Sequence, residues 1–147
     1  MIKYLTIIAV IIFMTACGNQ AGKQKNNKAE AEVHEAQAEG VTLVNGEKWK
    51  ANFATNKGIR NMKELMSGIS NGSTLNDYRD LGTALQTEFQ HIFQRCDMTG
   101  EAHNQLHNYL HPMAAWFKDL KEGDLSQCQS ATTALKKHLE EYDLYFK

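Results

Sequence analysis

Four apolar stripes at helical spacing, each bounded by a residue that starts or stops a helix, constrain this chain most. Across residues 55–70, Ile59, Met62, Met66 and Ile69 recur at three- and four-residue intervals, and Asn71-Gly72 follows as a stop. Thr74-x-x-Asp77 has the form of a capping box and opens a second segment. Its stripe is Tyr78, Leu81, Leu85, Phe89, Ile92 and Cys96, and Thr99-Gly100 breaks it. A third segment, 101–121, sets Leu106, Leu110, Met113, Phe117 and Leu120 on one face before Gly123. Pro112 inside it removes one backbone donor and predicts a kink. A fourth segment starts at Asp124 and carries Ala131, Leu135, His138, Tyr142 and Tyr145. Short links force each helix back along the last, so the expected fold is all-α, an up-down-up-down antiparallel four-helix bundle.

Ahead of the helices, residues 41–49 read as a short extended lead-in with a turn at Asn45-Gly46. Trp49 is expected to cover one end of the core. The bundle domain is therefore placed at 41–147. Residues 18–40 hold almost no large apolar side chains, and Lys and Glu are mixed with Asn, Gln and Ala. Such a segment buries too little to offset its ordering entropy, so 17–40 reads as a tether in which His34 is solvated.

The first 16 residues have a different character. Lys3 precedes an apolar run from Leu5 to Met14, and small residues Thr15 and Ala16 follow it. This is the pattern of a secretory signal peptide, with an apolar run of roughly 10 residues, too short to span a membrane. Met14-Thr15-Ala16-Cys17 resembles the bacterial lipobox. The resemblance implies cleavage before Cys17, acylation of that residue and a lipid anchor in the cell envelope. Gly18 is not the aspartate that holds such proteins at the inner membrane of enteric bacteria, so outer-membrane residence is expected.

Composition narrows the partners. The formal net charge is −1 and no basic stripe runs along any helix, which argues against nucleic acid. The membrane, reached through the lipid, and another envelope protein are the expected partners.

The residues with chemistry concentrate at one end of the expected bundle. A rise of ~1.5 Å per residue puts Met62 ~10 Å, His103 ~3 Å, His107 ~9 Å and His138 ~13 Å above the end holding the second loop. Cys96 and Met98 lie at that end itself. Met62, Cys96 and His138 fall on apolar stripes, His103 on the edge of one, and His107 further round. Met62 and His138 lie on the first and last helices, and thioether with imidazole is an axial pair for haem iron. His103 and His107, four residues apart, can chelate one copper or zinc ion, with Cys96 favouring a soft one. His91 and His111 point away from the core. Cys96 ends one helix and Cys128 begins another, on the order of 25 Å apart, which argues against a disulfide between them.

The domain also resembles the cytochrome b/c′ type of periplasmic four-helix bundle. The likeness is carried by Arg60-Asn61-Met62-Lys63-Glu64-Leu65, by the stretch from Phe117 to Leu125, and by Ala134-Leu135-Lys136-Lys137 before an aromatic-rich end. It implies non-covalent haem b held by Met62. The family's histidine ligand lies nearer the C-terminus than His138, close to where Asp143 stands, and no Cys-x-x-Cys-His attachment is present. Covalent haem is thus not expected.

These readings give a non-enzymatic, lipid-anchored binding module of the envelope. Its candidate ligands to haem, copper or zinc are Met62, Cys96, His103, His107 and His138. The alternative is a cofactor-free structural or interaction lipoprotein. A thiol enzyme built on Cys96 and His103 would need an orienting group and an oxyanion site that the sequence does not display.

Overall fold

The computed structural model describes residues 40–147. The signal segment, the lipobox with Cys17, and the tether with His34 lie outside the described residues.

Asn52 opens the first helix, α1 (Phe53–Ser67), by accepting a hydrogen bond from the Thr55 amide at 2.8 Å. This start lies two residues before the one expected. The helix also ends earlier than Asn71-Gly72, because the Gly68 amide turns back to the Leu65 carbonyl at 3.2 Å. Ser70 and Ser73 then brace the loop through reciprocal bonds. The Thr74/Asp77 capping box is formed and opens α2 (Leu75–Arg95).

The third segment is not one kinked helix. It is α3 (Gly100–Leu110) and α4 (Met113–Glu122), separated at His111-Pro112. Proline offers no amide to the carbonyl four residues back, so the ladder stops there rather than bending. Asp124 and Gln127 form a second capping box that opens α5 (Leu125–Tyr145).

Among the described residues the fold is all-helical, with two isolated backbone bridges in place of strands. One is the Val44–Glu47 hairpin, closed by bonds of 3.0 and 2.9 Å over Asn45 and Gly46, which both have positive φ. The other joins Trp49 to Phe146 and ties the lead-in to the C-terminus. Trp49 packs half-buried against the core, where the sequence placed it.

Contacts between the helices are those of a bundle: α1 against α2, α2 against α4, α4 against α5, and α5 back against α1. Their shared core includes Ile59, Met62, Leu85, Leu106, Met113, Leu120 and Leu135, all essentially inaccessible. Helix α2 approaches its two neighbours through glycine. A Cβ on Gly58 of α1 would lie 2.5 Å from Cγ1 of Ile92, and one on Gly82 would lie 2.9 Å from Cβ of Leu120. No helix of the described residues is long and apolar enough to cross a membrane.

The Gly82 contact is made by an atom fixed to the backbone of α4, which cannot swing aside. Gly82→Val is expected to lower the unfolding free energy by about 1–3 kcal/mol through overpacking. Urea denaturation followed by circular dichroism checks this; an unchanged midpoint would mean that α2 and α4 are less closely apposed.

Candidate functional site

The chain between α2 and α3 is held from both sides. Asn52, while capping α1, donates through Nδ2 to the Arg95 carbonyl at 2.9 Å and to Oδ1 of Asp97 at 2.6 Å. These bonds flank Cys96, which stands just past the end of α2 with extended backbone. On α3, Leu106, Tyr109 and Leu110 face the core, while Gln105 accepts from the Thr42 amide and Asn108 donates to the Gly40 carbonyl. The remaining face of α3 presents His103 and His107 beside Cys96.

Three of the five candidates meet there in a row. Cys96 Sγ lies 3.6 Å from His103 Nδ1, and His103 Nε2 lies 3.0 Å from His107 Nε2. His107 also sets its ring edge-on to Phe93 of α2, with centroids 5.3 Å apart. Cys96 and His103 are half-buried, and His107 is exposed. Cys96 addresses one nitrogen of His103, and His107 addresses the other. A single ion cannot use His103 to meet both neighbours, because each ring nitrogen points its own way. The thiol therefore stands as the partner of the far nitrogen, the role that outer-shell groups play for metal-bound imidazole.

The separation of the two Nε2 atoms suits a hydrogen bond in which one ring donates. It is also close to what one ion would need. Zinc–nitrogen bonds of about 2.0–2.1 Å at tetrahedral angles put two ligand nitrogens about 3.3–3.4 Å apart. An ion shared by the pair would need the two nitrogens to part by a few tenths of an ångström. Among the described residues, no group of three or more His, Cys, Asp or Glu side chains is arranged to hold a metal. The nearby carboxylates are engaged elsewhere: Glu101 accepts from Gln105 and Asn104, and Asp97 accepts from Asn52.

Met62 and His138 are both in the core, 0% and 5% exposed. His138 Nε2 donates to the Tyr109 carbonyl at 2.7 Å, and Tyr109 Oη donates to the His138 carbonyl at 2.6 Å. Since a carbonyl only accepts, Nε2 carries the proton. The Tyr109 ring stacks on the imidazole at 4.3 Å, and Trp116 meets it edge-on at 5.2 Å. A haem iron approaching this nitrogen would have to displace the Tyr109 carbonyl, and its porphyrin would have to enter a packed core. Haem does not fit the residues as placed. Asp143, which stands near the family's histidine position, pairs instead with Lys63 at 2.7 Å.

Both described cysteines are free. Cys128 is buried, its thiol facing the carbonyls of Asp119 and Leu120 at 3.5 and 3.6 Å. Burial raises its pKa, with Arg79 opposing and Asp124 and Asp119 assisting. It is a core thiol.

The sequence pointed to His103, His107 and Cys96, but not to Asn52, Phe93 or Tyr109, which position them or occupy His138. Asn52 carried a readable signal as a helix cap before Phe53. No family model matches the chain, and no curated protein or solved structure matches it.

Burial holds the His138 imidazole below the ordinary histidine pKa, and its bond to the Tyr109 carbonyl opposes that shift only in part. The unfolded chain therefore takes up this proton at a higher pH than the folded one. Stability from His138 is complete above about pH 6.5 and is lost as the pH falls below it, with a slope of up to about 1.4 kcal/mol per pH unit. His138→Gln keeps a donor for the carbonyl without the titration. Urea midpoints measured from pH 7.5 to pH 5 are expected to fall less steeply in this variant; parallel curves would assign the acid sensitivity to other groups.

Proposed function

We propose that this chain is a lipid-anchored binding module of the bacterial cell envelope that takes a divalent transition-metal ion at His103 and His107. The observation that carries the reading is the 3.0 Å approach of the two Nε2 atoms, with Cys96 on the opposite nitrogen of His103. When Nδ1–H donates to the Cys96 sulfur, Nε2 keeps its lone pair, which is the form an ion requires. Imidazole suits zinc and copper.

The anchor is assigned to Cys17 by its lipobox, and residence at the outer membrane by Gly18. The tether then carries an antiparallel, up-down-up-down bundle in which α3 and α4 together serve as the third rod. Short links and the cycle of helix neighbours support this order.

A second reading, a cofactor-free lipoprotein that binds another envelope protein, is favoured by Phe53, which is 75% exposed at the start of α1. Metal-free protein that retains one stoichiometric partner, and loses it in Phe53→Ser, would select this reading.

Titration of the full chain with Zn(II) and Cu(II), followed by calorimetry, separates the two. Binding is expected in the micromolar range or tighter, weakened in His107→Ala by at least about tenfold, the lower end of what loss of even an outer-shell partner costs. Met62→Leu and His138→Gln are expected to bind like the parent. Binding unchanged in His107→Ala would dismiss the site.

A further inference from the structure

The His103/His107 pair supplies two ligands, whereas zinc in a closed protein site takes four. The carboxylates on the same stretch are already hydrogen-bonded, and the Cys96 thiol addresses the wrong nitrogen. A single copy therefore leaves half of a tetrahedral ion open to water.

The surroundings of the pair say what completes it. His107 is exposed, so the open positions point outward from α3 rather than into the bundle. Directly beside it stands Phe93, a large apolar side chain that is 42% exposed and touches His107 edge-on. A protein contact made through the ion would also cover this ring, a residue type enriched in interface cores. The formal net charge of −1 sets little repulsion between copies.

We infer that a second copy of this chain completes the site: one Zn(II) ion is held by His103 and His107 of each copy, about a two-fold axis that seats Phe93 of each against the other. A two-fold contact uses the same patch twice, so the one exposed pair is sufficient to make a four-nitrogen set. Chains anchored in one membrane would meet at raised effective concentration, which favours such a pairing. The inference rests on the metal-binding reading above and adds the partner of that same site.

Sedimentation velocity of the full chain in a mild detergent, with Zn(II) added stepwise and bound metal measured in parallel, tests it. The protein mass is expected to double as half an equivalent of Zn(II) per chain is taken up, and to return to that of the monomer in a chelator. His107→Ala should lose both the ion and the doubling. Phe93→Ser removes both the ring that touches His107 and the surface that would meet the second copy, so at saturating Zn(II) it should need at least about tenfold more protein to dimerise, the effect of about 1.4 kcal/mol. One ion per chain without a mass change would overturn the bridging and leave the metal site standing. No Zn(II) uptake at all would remove both. A mass that is already double in the chelator would overturn the bridge, since the ion would then not be what joins the copies.

Discussion

A carbonyl left without a donor in the middle of the protein organises much of this structure. Pro112 ends α3 at Leu110, so the Tyr109 carbonyl falls in a last helical turn, where the ladder provides no partner. Tyr109 is itself fully buried, and a buried carbonyl without a hydrogen bond would cost about 1–3 kcal/mol. His138 supplies the donor from α5, and Tyr109 returns one to the His138 carbonyl. The break that proline imposes between α3 and α4 is thus closed by α5. A neutral imidazole suits the role, since it donates from a planar body that stacks on Tyr109 and meets Trp116. Lysine would have brought a charge that the core cannot hydrate.

The same break separates two kinds of histidine. His138 is a structural donor, committed at Nε2 and covered by aromatic rings. His103 and His107 lie on the short helix before the proline, with their nitrogens turned to each other. What brings them beside Cys96 is the α2–α3 connection, and that connection is fixed at Asn52. One side chain caps α1 and holds the Arg95 carbonyl and the Asp97 carboxylate on either side of the cysteine, so the start of the first helix and the position of the thiol are set together.

The elements were legible in the sequence wherever their signals were local. Thr74/Asp77, Asn45-Gly46 and Asp124 each act through bonds to residues within three positions, and each does in space what its spacing announces. Pro112 was legible as a disturbance, but whether a helix bends or stops depends on what receives the carbonyls of its last turn, and for Tyr109 that is a residue 29 positions away. The early end of α1 was hidden for a related reason: Ile69 keeps the apolar rhythm by packing on the core from the loop, where periodicity cannot distinguish it from a helical residue. At the site, residue type and the four-residue interval of His103 and His107 were readable. Which nitrogen faces which neighbour was not, because it follows from ring rotation against Phe93 and Cys96.

That rotation has a further consequence for the thiol. The two nitrogens of His103 share one proton between them when the ring is neutral, so the group at Nε2 and the group at Nδ1 are not independent. A ligand that takes the Nε2 lone pair fixes the proton on Nδ1, aimed at Cys96 Sγ, and stabilises a sulfur that accepts it. Conversely, a thiol that keeps its own proton and offers it to Nδ1 draws the ring proton to Nε2 and disfavours an ion there. Were the proposed ion to bind, the state of the sulfur and the occupancy of the imidazole pair would shift each other by equal free energy. Nothing beyond two contacts of 3.6 and 3.0 Å on opposite sides of one ring is needed for that coupling.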